Sequence, residues 1–152
     1  MTRPVHWLLR IGNGKHFKSS SEKNIWGMST TNNTNVQSFL KTVNPGDILW
    51  FILGKSNGKV LAVAEYVRNN KRELGPLINV TSTNEELGWT DTIGDWDYEV
   101  HFKDMFVVDK LKLLTEIKAA TTVRKYNEKC MVNLPEEYKN IMKYSVITNS
   151  FN

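Results

Sequence analysis

The chain has 152 residues, of which 40% are hydrophobic and 24% charged. That is about one domain's worth on the usual scale of roughly 100–200 residues per domain, and it excludes a collagen-like, low-complexity or wholly disordered chain. The single cysteine, Cys130, excludes a disulfide framework and a multi-cysteine zinc or iron–sulfur site, while His6, His16 and His101 show no HExxH or HxH pairing for a metal. Net charge is +4, with 20 Lys and Arg against 16 acids, and the pI is near 9.1, one line in the profile of a nucleic-acid binder. The imbalance sits at the front: up to Asn70 only Glu22, Asp47 and Glu65 oppose nine basic residues.

In chain order, Val5 to Ile11 is aromatic and branched and closes on Gly12-Asn13-Gly14, which predicts a strand running into a turn. Arg10 interrupts this stretch, so it is no signal-peptide core, and no window approaches the roughly 18 apolar residues of a spanning helix. His16 to Lys23 predicts a short helix with Ser19 to Ser21 as caps. Asn24 to Met28 is a brief apolar island before the polar run Ser29 to Asn35, and Asn35 is the expected cap of a helix from Val36 to about Thr42. Asn44-Pro45-Gly46-Asp47 reads as a turn, Ile48 to Leu53 as a strand, and Lys55-Ser56-Asn57-Gly58 as the hairpin turn into a partner strand, Val60 to Val67.

Asn69 to Asp95 is polar, contains Gly75-Pro76, Gly88 and Gly94, and reads mostly as loop around Trp89. Trp96 to Val108 alternates as a strand, with Tyr98, Val100 and Phe102 on one face. Leu111 to Ile117 suits strand or helix. Leu134-Pro135-Glu136-Glu137 opens a helix through Lys143. The expectation is one intracellular, non-secreted domain over residues 1–152, with its core at about 5–144: a mixed, mainly antiparallel sheet that curls, with short helices at its edges.

Enzymatic signals are few. Gly54-Lys55-Ser56 lacks the first glycine of a phosphate loop, since that position is Leu49, and it precedes a strand instead of a helix. Cys130 reads as a partly buried apolar residue. Asp95, Asp97 and Glu99 fall on one strand face, expected to be solvated. The five tryptophans say more. Trp7 and Trp50 lie in apolar strand runs and read as core. Trp26, before a polar run, and Trp89, in a Gly-flanked loop, suit stacking on an unpaired base as well as packing.

Several segments, taken in order, resemble the EVE branch of the PUA-like superfamily, with kinship to YTH domains. His6-Trp7-Leu8-Leu9 is similar to the "YWL" opening strand of EVE proteins, and Arg10-Ile11-Gly12-Asn13 to the "IKSN" that ends the first strand of YTH domains. Asn24-Ile25-Trp26-Gly27-Met28 resembles "N-(V/I)-W-G-V". Val43 to Leu49 resembles "(V/M)-K-P-G-D-x-(V/L)", and Val60 to Tyr66 resembles "I-V-G-I-A-E-V". Trp96 to Val100 is similar to "W-Y-x-V-x-V", and Leu134 to Tyr138 to "(L/M)-P-E-E-x-(Y/F)". The likeness runs from about His6 to about Met142, and Asn69 to Asp95 has no counterpart in it.

The resemblance implies an α+β fold, a PUA-like open, mostly antiparallel β-barrel with short flanking helices. Its pocket would accept a flipped, often methylated, nucleobase, and it would need no catalysis, cofactor or metal. By motif, Trp26 is the first wall of an aromatic cage and Asn13 the contact to the base edge; Trp89 is the second wall by loop position, and Trp96 is structural. Arg10, Lys15, Lys18 and Lys55 are the expected phosphate contacts. The expected partner is RNA or modified DNA and not a membrane. The alternatives are a small metal-dependent nucleic-acid-processing enzyme using Asp95, Asp97 or Glu99, and a protein-interaction domain with a vestigial pocket.

Overall fold

Ile48 to Ile52 is a continuous apolar run because both faces of its sheet are covered, and such a strand need not alternate. The computed structural model describes residues 3–54, 58–72, 86–87, 96–109, 122–127 and 133–151. Lys55, Asn57, Trp89, Asp95, Leu111 to Ile117 and Cys130, all singled out above, lie outside them. The elements are β1 (His6–Arg10), α1 (Lys15–Ser20), β2 (Ile25–Met28), α2 (Thr34–Thr42), β3 (Ile48–Ile52), β4 (Val60–Lys71), β5 (Tyr98–Val107), β6 (Val123–Lys125) and α3 (Leu134–Tyr144), with a single 3-10 turn (Ser21–Lys23) after α1. The strands form one six-stranded sheet in the order β2-β5-β4-β3-β1-β6. Only the β1–β3 pair is parallel among them. This is the expected α+β open barrel: a curled, mixed sheet with short helices.

The expected hairpin is present. Ile48 pairs with Glu65, Trp50 with Val63 and Ile52 with Val60. Gly58 takes φ +78°, the left-handed backbone the turn needs. The curl has visible causes: β4 and β5 slip register twice, between Val63 and Glu65 and between Tyr66 and Arg68, and Asp104 opposite the first slip takes φ +52°. Bulges of this kind bend the bulged strand and increase its twist.

Each sheet face has its own core. On one, Trp7, Leu9, Phe51, Tyr66 and Phe102 meet Phe17 of α1 and Val36 and Phe39 of α2. On the other, Leu8, Trp50, Ile52, Val63 and Phe106 meet Leu134 of α3. Trp7 and Trp50 are both buried, so the core reading of these two holds.

The turn before β3 ties the two ends of this arrangement together. Asp47 N–H donates to the Asn44 carbonyl at 2.9 Å, with Pro45 and then Gly46 (φ +94°) in the two central positions that a type II turn assigns to them. Asp47 is thereby turned inward, where its carboxylate accepts from Val5 N–H (3.0 Å), Trp7 Nε1 (3.1 Å) and Asn44 N–H (3.0 Å). A buried carboxylate persists only with such donors.

Beside it, His6 accepts at Nδ1 from Trp50 Nε1 at 2.9 Å and is ringed by Trp50, Tyr126 and Tyr138. Burial holds the imidazole neutral, lowering its pKa from 6.5 to about 4 despite the pull of Asp47. The unfolded chain protonates at its ordinary value and the folded chain does not. Stability is therefore full above pH 6.5 and falls as pH drops toward 4, by up to about 3 kcal/mol for this group. The thermal midpoint should fall between pH 7 and pH 4.5, and by less in His6→Gln; parallel curves for the two proteins would contradict this account.

Three local expectations are corrected, and one unassigned segment gains a structure. The cap of α2 is Asn33, not Asn35: Asn33 Oδ1 accepts from Val36 N–H at 3.0 Å, so the helix starts at Thr34. Ser19 and Ser21 supply no side-chain cap, since their hydroxyls donate back to the His16 and Lys18 carbonyls; Gly14 occupies the N-cap position of α1, and Ser21 ends the helix as its C-cap through its backbone N–H to the Phe17 carbonyl. The Asn24–Met28 island contains an edge strand, paired with β5 from Ile25↔His101 to Met28↔Tyr98. Glu99 is not solvated but fully buried, 3.4 Å from Arg72 Nε and 2.8 Å from His101 Nε2. The cause is β4, which continues to Lys71 and brings Arg72 alongside; Arg72 N–H donates to the Asp97 carbonyl at 2.7 Å.

Candidate functional site

The end of β1 fixes the first wall of the main recess. Gly12-Asn13-Gly14 leaves β1 through Gly12 (φ +62°) and enters α1 through Gly14 (φ +86°). A side chain at Gly14 would be strained by that backbone and would meet the Leu53 and Leu61 methyls. Between the two glycines, Asn13 Oδ1 accepts from Lys15 N–H at 3.0 Å, a local turn that fixes the side chain beside α1. Its Nδ2 has no acceptor among the described residues.

The recess, about 280 Å3, is lined here by Arg10, Ile11, Gly12, Asn13 and His16. β2 supplies Trp26, Gly27, Met28 and then Ser29; α2 supplies Val36 and its cap Asn33; Trp96 and Thr122 complete the wall. Trp26 is half-buried. Its ring stands edge-on to Phe17, centroids 5.8 Å apart and planes 68° apart, and Phe17 is itself locked against Phe51 at 4.3 Å. Trp26 and Trp96 both pack against the small cluster of Ile25 and Leu87. The wall is thus stiff from behind and open in front.

Asn33 joins two parts of the rim: while Oδ1 caps α2, Nδ2 donates to Thr122 Oγ1 at 2.8 Å. Asp97, next to Trp96, accepts from Thr30 N–H at 2.9 Å and from the Thr30 hydroxyl, which fixes the approach of β5 to β2. Arg10 is half-buried, and its guanidinium lies where a Cβ on Gly54 would stand. The recess therefore offers indole surface, methyl and thioether surface, amide and hydroxyl groups, one imidazole and one guanidinium. That set suits a planar heterocycle: stacking for its faces and hydrogen bonds for its edge.

Of the expected site residues, the fold brings Trp26, Asn13 and Arg10 into one recess. Lys15 and Lys18 are exposed on α1 but do not line it. Trp89 and Lys55 lie outside the described residues. Trp96, read as structural because its pentapeptide looks like a strand, lines the recess; it precedes β5 by two residues and so stands at the strand's mouth. His16, Asn33 and Thr122 were missed. Asn33 had a signal, an Asn ahead of a helical pattern, but the cap was placed two residues late.

No protein-family model matches the sequence, and no curated protein matches it either. Solved structures do. The YTH domain of the Zygosaccharomyces rouxii MRB1 protein in complex with N6-methyladenosine RNA superposes with a TM-score of 0.54 at 12% identity, covering 99% of this chain and 92% of that one. The Pho92 YTH domain in complex with m6A superposes with a TM-score of 0.51 at 15% identity, covering 99% and 91%. The fold is YTH-like. At these identities the likeness concerns the backbone: a YTH-like, PUA-like barrel over nearly the whole chain. Within this YTH-like frame the recess lies beside β2, α1 and the start of α2.

Proposed function

We propose that the protein is a non-catalytic nucleic-acid reader whose Trp26–Trp96 recess holds a flipped, methylated nucleobase, and that its partner is RNA. The observation that carries this reading is the convergence on one recess of two indoles, a half-buried arginine and the Asn13 amide, from segments far apart in the sequence. The YTH domains that share the fold are seen with N6-methyladenosine RNA and with m6A, which makes N6-methyladenosine the first base to test. The indoles stack on the ring and offer apolar surface to the methyl group. Asn13 presents its amide at the edge, and Arg10 stands at the rim for a phosphate.

Two observations weigh against the metal-dependent alternative. Both Asp97 oxygens accept from Thr30, and Glu99 is buried and paired with Arg72 and His101. Neither carboxylate is left to hold an ion at the surface. For a protein-only surface, a preformed recess with polar groups at its edge has no evident use.

The partner class is tested by salt. Titration of a short single-stranded RNA carrying N6-methyladenosine should give an affinity that falls as salt rises from 50 to 200 mM, because each neutralised phosphate releases counterions, with a slope of roughly −0.7 per contact on single strands. Affinity flat across that range would argue for a small-molecule or protein ligand.

A further inference from the structure

A second recess, of about 350 Å3, lies next to the first and is lined by Thr30, Gln37, Leu40, Lys41, Asn69 and Tyr98. We propose that it seats the nucleotide adjacent in the strand to the one whose base enters the Trp26 recess, the neighbour's base stacking on Tyr98 and its phosphate meeting Lys41. The proposal rests on the reading of the first recess as a base pocket.

The two recesses share one ridge. Ser29 lines the first and Thr30 the second, and Asp97 pins the ridge through both hydrogen bonds to Thr30. They also share one helix: Asn33 and Val36 face the first, whereas Gln37, Leu40 and Lys41 face the second. At 1.5 Å per residue the two sets are centred roughly 7 Å apart along α2, a separation that one sugar–phosphate unit spans. Tyr98 pairs with Met28, a lining residue of the first recess, across β2 and β5. A strand leaving the first recess over the ridge therefore arrives at the second.

The chemistry of the second recess fits a nucleotide. Tyr98 is half-buried, so its position is fixed while part of it stays open. Lys41 is exposed, and Lys71, exposed as well, pairs with Tyr98 across β4 and β5. Among the described residues the lining carries no carboxylate, and the nearby Asp97 is turned to Thr30. The floor is preformed: Asn69 Nδ2 donates to the Leu40 carbonyl and to Tyr66 Oη, at 3.2 and 2.7 Å, and Gln37 Nε2 to the Thr30 carbonyl at 2.8 Å. An aromatic face beside cationic groups takes any unpaired base, since every base has a π-face.

The test compares the nucleoside N6-methyladenosine with two dinucleotides, one carrying a neighbour on the 5′ side and one on the 3′ side. One dinucleotide should bind about 10-fold tighter than the nucleoside, the scale of one base–aromatic stack. Tyr98→Ala should erase that gain, Tyr98→Phe should keep it, and Lys41→Glu should reduce it. All three variants should bind the nucleoside as the wild type does, which also reports that they are folded. If the nucleoside binds and neither dinucleotide gains, or if the gain survives Tyr98→Ala, the second recess is not a subsite while the base pocket stands. If the nucleoside does not bind, the base pocket falls and the subsite with it.

Discussion

Asp47→Ala is expected to cost about 4–6 kcal/mol of folding stability, a large share of the roughly 5–15 kcal/mol that a folded domain possesses. The carboxylate holds three donors, at Val5, Trp7 and Asn44. Hydrogen bonds to a charged group contribute about 1.5–3 kcal/mol each, and losing the acceptor leaves buried donors unpaired. The Trp7 indole suffers most, because it is buried against Phe39, ring centroids 5.0 Å apart. Asp47→Asn retains one acceptor oxygen and should lose less. Denaturant unfolding of both variants checks this: an unfolding free energy for Asp47→Ala within about 1 kcal/mol of the wild type would show that the carboxylate is not the clasp between β1 and the turn.

The second large effect is on binding. Trp26→Ala and Trp96→Ala each remove one indole wall, at about 1–3 kcal/mol of stacking, and the double variant should lose between roughly 30-fold and roughly 20,000-fold in affinity. Trp26 is half-buried, and Phe17 behind it keeps its contacts with Phe51 and Phe102. The folding cost of Trp26→Ala should therefore fall well short of the about 3–5 kcal/mol of a core tryptophan. Trp50→Ala is the control: Trp50 is fully buried, so its loss should lower the thermal midpoint and leave the affinity of the folded fraction intact. If Trp26→Ala behaves like Trp50→Ala, Trp26 is core and the recess is no site.

Comparison of particular residues shows what made the fold legible. The Asn44-Pro45-Gly46-Asp47 turn and the Gly58 hairpin could be read from sequence because proline fixes φ, glycine supplies positive φ, and both act over four residues. The unbroken apolar run of β3 was readable because burial on both faces removes alternation. What could not be read was set by partners distant in sequence. Glu99 looked solvated on an alternating strand; only the extension of β4, which delivers Arg72, makes its burial tolerable. Trp96 looked like one more strand residue, and its place in the recess depends on how β5 approaches β2, a fact of pairing and of the Asp97–Thr30 contact. Trp26 and Asn13 carried local signals that point to the recess they line: Trp26 stands in the short apolar strand β2 just ahead of a polar run, and Asn13 lies between two glycines where β1 gives way to α1.

The central claim is that the Trp26–Trp96 recess reads a methylated base, and the most direct measurement is the ratio of two affinities. The same short RNA, with and without one N6-methyl group, is titrated against the wild-type protein at fixed salt. A methyl group buried between indoles contributes about 0.8 kcal/mol, so the methylated strand should bind at least about 4-fold tighter. In Trp26→Ala that ratio should collapse toward one. Equal affinities for the two strands in the wild type, or a preference that persists without Trp26, would contradict the account.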